Sequence, residues 1–178
     1  MDPKKRRNRI ILLIIGIIIT ATILYLSPSK FVEDVVVKYG YLGAFTIAFL
    51  SSSTVILPAP GLAGVFIMGA FLNPYLLGFC AGLGAALGEL TGYMTGYGGK
   101  TLVEKEPLYR KIRSWMDKSG FITIFAFALI PNPVFDIVGI IAGVSEYPIK
   151  KFFVACLLGN ILKAIMVAHL GEMLLTFL

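Results

Sequence analysis

Two stretches decide the fold: Leu57-Pro58-Ala59-Pro60-Gly61 and Pro131-Asn132-Pro133-Val134-Phe135-Asp136. Each places two prolines, one residue apart, inside an otherwise apolar segment. A proline has no N–H to give and its ring clashes with the preceding turn, so neither pair can continue a helix. An apolar approach from Tyr41 leads into the first break, and Leu62–Leu72 leads away from it to the turn signal Asn73-Pro74. That outgoing arm rises about 17 Å as a helix, roughly half of a ~30 Å hydrocarbon core. A half-length arm after a helix break predicts a re-entrant hairpin. Broken backbone at that depth is stable only when it is buried in protein or lines a wet cavity.

The second break repeats the plan. Phe121–Ile130 runs in, Val134–Val144 runs out, and Ser145-Glu146-Tyr147-Pro148 turns the chain just before Lys150 and Lys151. Two lysines put that turn on the cytoplasmic face, opposite to the first hairpin's turn. Pro58, Gly69, Pro74 and Gly84 recur in order as Pro131, Gly143, Pro148 and Gly159. Matching interrupted segments of opposite sense are the sequence pointer to an inverted repeat with a site at its midplane. The hairpin breaks are assigned to Pro58, Pro60, Gly61, Pro131 and Pro133.

Around the hairpins, Tyr75–Gly99 and Phe152–Leu178 are long enough to cross a membrane. The first carries Gly84, Gly88, Gly92 and Gly96, a small-residue stripe on which another helix can pack closely. The predicted fold is an all-α polytopic membrane protein. It is an inverted repeat of two re-entrant helical hairpins, each followed by a crossing helix, plus an N-terminal span.

Composition supports this class. Charged residues are 15% of the 178, against about a quarter in soluble domains, and mean hydropathy is +0.86. From Tyr39 to Gly99 the only charge is Glu89. The net charge of +6 sits at span edges rather than on one face, which argues against nucleic acid as a partner. Lys4, Lys5, Arg6, Arg7 and Arg9 hold the N-terminus in the cytoplasm, ahead of an uncleaved span Ile10–Leu26 whose apolar stretch exceeds a signal-peptide core. Ser27–Gly40 reads as a short interfacial helix. The organisation is therefore 1–40 for the basic N-terminus, first span and interfacial helix, and 41–178 for the membrane domain. Within it, repeat 1 covers about 41–99, repeat 2 about 121–178, and 100–120 is a cytoplasmic linker. In that linker Leu108, Ile112, Trp115 and Met116 form the apolar face of an amphipathic helix, with Trp115 as interfacial anchor. The location is the cell membrane, with the C-terminus outside.

Three ionisable residues lie within apolar segments: Glu89, Asp136 and Lys163. Each costs at least ~2.5–3.5 kcal/mol in hydrocarbon and so faces a partner or a polar cavity. They either tie helices together or form a polar pathway where the hairpin tips meet. A Glu89–Lys163 pair across the crossing helices fits both readings. Asn132, Ser52 and Asn160, one turn before Lys163, complete the candidate path, and helix N-termini aimed there favour anionic groups such as a lipid phosphate. Cys80 and Cys156 lack partners at metal-ligand spacing and read as small buried hydrophobes. Lone His169 reads as interfacial. Gly96–Thr101 falls short of a phosphate-binding loop, because Met94 stands where its first glycine belongs. No metalloprotease, serine-hydrolase or Cys/His pattern occurs, so no enzyme activity, cofactor or metal site is expected.

Gly88-Glu89-Leu90-Thr91-Gly92-Tyr93-Met94-Thr95-Gly96 and Pro131-Asn132-Pro133-Val134-Phe135-Asp136-Ile137-Val138-Gly139-Ile140-Ile141-Ala142-Gly143 resemble the DedA proteins and their relatives with the VTT (SNARE-associated Golgi) domain. The P-N-P-x-F-D segment is most similar to the vacuole membrane protein branch. The likeness runs from about Phe45 to Leu174. It implies two facing re-entrant hairpins and movement of lipid between leaflets: scrambling without ATP in the eukaryotic branch, undecaprenyl-phosphate recycling in bacterial DedA proteins. The bacterial pattern has a Glu where Ser51 or Ser52 stands, an acid at Leu62, and arginines where Ala128 and Val134 stand. Those groups go with proton coupling, so their absence favours a passive scramblase of phospholipid or polyprenyl-phosphate headgroups. The alternatives are a proton-coupled transporter of a small or isoprenoid phosphate and a structural protein that docks partners through the linker. Expected partners are membrane lipids; protons and a second copy of the chain are further candidates.

Overall fold

The structure, a computed structural model, describes residues 29–53, 59–98, 107–131 and 135–175. The N-terminal span, Pro58, Asn132 and Pro133 lie outside the described residues. These residues form six helices and no strand: α1 (Ser29–Ser53), α2 (Ala59–Gly69), α3 (Pro74–Gly98), α4 (Pro107–Leu129), α5 (Phe135–Val144) and α6 (Ile149–Leu175). Helices α3 and α6 are long and apolar enough to cross a membrane. The two helices that follow the breaks, α2 and α5, have only 11 and 10 residues.

Helix boundaries differ from expectation in two places. The interfacial helix expected over 27–40 is the first part of α1, which runs unbroken through Gly40 and Tyr41. A single glycine costs a helix only about 1 kcal/mol, and here Leu72 packs into the space a Cβ would fill at Gly40. Pro60 and Gly61 lie in the first turn of α2, where a proline's missing N–H would have no intrahelical partner anyway. The amphipathic helix expected in the linker and the segment from Phe121 are both present and meet at a kink, where Ser119 leaves the helical dihedrals (φ −158°, ψ 72°); the two together are labelled α4.

Helix α2 folds back along α1. Gly61 lies against Ser51, and Gly43 and Gly40 lie against Met68 and Leu72. Likewise α5 returns beside α4, bringing Tyr147 onto Gly120. The turns between helices are closed locally. Asn73 Oδ1 accepts from the N–H groups of Tyr75 and Leu76 at the start of α3 (3.0 and 3.2 Å), as an N-cap does. Glu146, at φ 52°, occupies the left-handed region in the turn before α6.

At the centre α3 and α6 run antiparallel and very close, because Gly78 and Gly82 lie on the backbone of Ile165 and Ile161. Each short helix then packs on the long helix of the other half: α2 on α6 through Gly69 and Gly171, and α5 on α3 through Gly96 and Gly143. Gly84 meets the backbone of α1 at Phe45, and Gly159 meets α4 at Phe125 and Leu129. Gly69, Gly84, Gly143 and Gly159 thus each lie on the backbone of a neighbouring helix. Two apolar clusters result, one around Ile112, Ile124, Val138, Ile141 and Phe152, the other around Ala44, Val65, Leu77 and Ala168. The outward face is apolar as well. Val154, Leu158, Leu162, Met166 and Leu170 recur along α6 and are all more than two-fifths exposed, a stripe suited to hydrocarbon rather than water.

Candidate functional site

The glycine stripe of α3 does not serve one partner. Gly84 and Gly88 accept α1, and Gly92 and Gly96 accept α5. Helix α1 therefore ends, and α5 begins, on the same turn of α3. Ser52 and Ser53 lie on Gly88, and the Asp136 backbone approaches Gly92. Between those two glycines stands Glu89. The end of α1 and the start of α5 are both brought to the one acidic residue of α3.

Glu89 is buried, and so is Asn160, which α6 presents to it. Asn160 Nδ2 donates to Glu89 Oε2 at 2.8 Å and to the Cys156 carbonyl at 3.0 Å. In a site this dry a buried polar group left without a partner is costly, so both bonds matter. Asn160 Oδ1 is also buried and meets no donor among the described residues, which leaves one acceptor for an incoming donor group. Lys163, one turn further along α6, is in electrostatic reach of both Glu89 and Asp136. The expected Glu89–Lys163 pair is therefore indirect: Glu89 takes its direct polar contact from Asn160. The cause is register, since the close crossing at Gly82 and Ile161 turns position 160 rather than 163 towards Glu89.

Asp136 sits in the first turn of α5, where the helix N-terminus favours a carboxylate. At the other end of the gap, Thr91 Oγ1 donates to the carbonyl of Ser53 (3.2 Å) as well as to that of Gly88 (2.8 Å). One of α1's terminal carbonyls is thereby satisfied without a following turn of helix.

The structure thus gathers Ser52, Glu89, Asp136, Asn160 and Lys163 around one turn of α3. Asn132 and the break prolines Pro58 and Pro133 lie outside the described residues, and Pro131 is exposed at the end of α4. Thr91 and Cys156 were not singled out as site residues from sequence. Thr91 lies two residues beyond Glu89, and Cys156 one turn before Asn160, and only the helix crossings reveal those distances as contacts. Tyr93, a turn beyond Glu89, donates to the Tyr147 carbonyl (2.6 Å) and so anchors α3 to the turn before α6. His169 contacts Glu172 (3.0 Å) and stacks edge-on to Tyr75, away from this site. Both cysteines are free, and no group of His, Cys, Asp and Glu among the described residues is arranged to hold a metal ion.

Comparison with known proteins adds to this geometry. The VTT domain profile matches residues 57–173, which takes in both short helices and both long ones. A vacuole membrane protein 1 homolog of Dictyostelium discoideum is 43% identical over 65 residues, 36% of this chain and 15% of that protein. The vacuole membrane protein KMS2 of Arabidopsis thaliana is 41% identical over 64 residues, again 15% of its length. Human vacuole membrane protein 1 is 41% identical over 61 residues, 34% of this chain and 14% of the human protein. The matched stretch is thus a small part of these relatives. No solved structure matches.

Proposed function

The chain belongs to the VTT domain family, and from that premise and the geometry above we propose that it is a membrane lipid scramblase, passing phosphate-bearing headgroups between leaflets without ATP and without a covalent step. The single observation that carries this is the meeting of the end of α1 and the start of α5 on the Glu89 turn of α3. Half-length helices α2 and α5 are re-entrant hairpin arms of an inverted repeat on this reading, and their breaks open a polar groove at mid-depth. Glu89, Asp136, Asn160 and Lys163 give a headgroup both acceptors and a donor as it passes, and the outward apolar faces leave the acyl chains in lipid. The protein lies in the cell membrane with its N-terminus cytoplasmic and its C-terminus outside.

The experiment is a reconstitution. In proteoliposomes with fluorescent phospholipid in both leaflets, a quencher added outside reaches about half the signal of protein-free vesicles and most of it when the wild-type chain is present. Asp136→Asn slows the additional loss. Wild-type vesicles that behave as protein-free ones sink the proposal.

One observation favours a second reading. Two carboxylates and a lysine share the site, an arrangement that suits proton-coupled carriage of a phosphate compound. That reading requires transport to follow an imposed pH gradient and Glu89→Gln to abolish the dependence. Scrambling at equal rate with and without the gradient excludes it.

A further inference from the structure

Away from the breaks, α4 kinks where its amphipathic part meets its apolar part. A cavity of about 560 Å³ opens there, lined by Ser119, Gly120, Phe121, Ile122, Tyr147 and Lys151. It owes its shape to the kink: Ser119 leaves the helical dihedrals, and the ring of Tyr147 occupies the place a side chain would take at Gly120.

The lining is mostly apolar with one charged residue, Lys151, and Lys118 and Lys150 each adjoin a lining residue in the chain. Lys118 on α4 and Lys150 and Lys151 on α6 are all exposed. The two lysines of α6 stand in its first turn, where the positive end of the helix dipole opposes them. Their placement therefore does nothing for the helix itself. The first α6 N–H that bonds a carbonyl among the described residues is that of Phe152, to Pro148 at 3.0 Å, so the N–H groups before it belong to the helix's open first turn, where Lys151 stands. Of the nearby carboxylates, Asp117 is held by Arg113 at 3.0 Å and Glu146 lies in the turn. No carboxylate among the described residues forms an ion pair with Lys118, Lys150 or Lys151. Phe121 and Ile122, at 37% and 64% exposure, continue the floor outwards, and Trp115, earlier on α4, is 40% exposed beneath Lys111.

We propose that this cavity is a docking site for the phosphate headgroup of an anionic phospholipid from the leaflet on its own side. Lys118, Lys151 and the start of α6 hold the phosphate, and the acyl chains run over Phe121 and Ile122. The apolar floor selects a lipid over free phosphate, because a soluble anion gains nothing from it. The site lies on the surface at one end of the helices and is distinct from the buried Glu89 turn. It rests on the chain being a membrane protein and not on its scrambling.

Native mass spectrometry of the full detergent-purified chain tests this without any transport step. With phosphatidic acid and phosphatidylcholine offered together, wild type retains phosphatidic acid preferentially. Lys118→Gln/Lys151→Gln weakens that retention by roughly thirtyfold, from the usual worth of two surface lysines near an anionic lipid. Ser119→Trp fills the cavity and leaves every charge in place, and at φ −158° any residue fits the backbone; it weakens retention to a similar degree. Arg110→Gln/Lys111→Gln, on the same helix outside the cavity, leaves it unchanged, and inorganic phosphate does not displace the lipid. Each variant is checked for wild-type elution, and where Ser119→Trp disturbs folding the lysine pair decides. The proposal is overturned by equal retention of both lipids, by undiminished retention in Lys118→Gln/Lys151→Gln or in folded Ser119→Trp, or by equal loss in the control pair. Displacement by free phosphate overturns it too.

Discussion

Replacing Asn160 by leucine removes the hydrogen bond to Glu89 Oε2 while nearly keeping side-chain volume. The bond is 2.8 Å long, and its partners are 0% and 7% exposed. A buried side-chain hydrogen bond is worth about 1 kcal/mol net, leaving the Glu89 carboxyl buried without its partner adds about 1–3 kcal/mol, and the second bond, to the Cys156 carbonyl, adds about 1 kcal/mol. The introduced leucine regains part of this by burying apolar surface, so the net loss is about 3 kcal/mol. Glu89→Met should cost a comparable amount by leaving the Asn160 amide without its acceptor and Lys163 facing Asp136 alone. The two losses share one bond. The double substitution is therefore less harmful than the sum, by about 2 kcal/mol, since replacing both partners with apolar groups of like shape removes the unsatisfied remainder. Trp115 is the only tryptophan and stands on α4 away from the site, so its fluorescence during denaturant unfolding in mild detergent reports the whole fold. Additive effects, within about 0.5 kcal/mol, would refute the claim that Asn160 is what Glu89 rests on.

Other consequences are simpler. Gly143→Val drives a side chain into the Tyr93 and Tyr97 backbone and should abolish a monodisperse elution peak, whereas Gly64→Ala, which meets nothing within 4 Å, should raise thermal stability by about 1 kcal/mol of helix propensity. Tyr93→Phe loses the 2.6 Å bond to the Tyr147 carbonyl and should lower Tm by about 2–4 °C, the usual effect of ~1 kcal/mol in a chain of this size. Thr91→Val removes the donor to Ser53 and should slow lipid exchange in the quencher assay more than it lowers Tm; an unchanged rate would detach Thr91 from the groove.

Much of this architecture is legible in residue order. Pro131 lies just past the end of α4, and unbroken apolar length marks α3 and α6, because both signals are local. Glu89, Asp136 and Lys163 announce themselves as charges in apolar surroundings. Which residue faces which is not local. Gly84 to Gly96 reads as one stripe, yet α1 and α5 divide it, and that division places the end of α1 and the start of α5 on one turn. Asn160 displaces Lys163 as the partner of Glu89 through a register set by Gly78 and Gly82, two positions that carry no side chain of their own. Continuity through Gly40 is hidden for a related reason: one glycine weakens a helix without ending it. The kink at Ser119 falls where the sequence already ends the linker, at Gly120, because the change from amphipathic to apolar pattern is local.

The exchange of short helices between halves bears on how such a chain is made. When the ribosome has delivered α1 to α3, the glycine faces of α2 at Gly69 and of α3 at Gly96 have no counterpart, because α6 and α5 are not yet synthesised. A nascent first half must therefore wait in the insertion machinery with a half-length helix unsheltered. A chain severed in the 99–106 linker should yield fragments that survive only when made together. Quality control of this protein would thus act on an incomplete molecule rather than on a misfolded one.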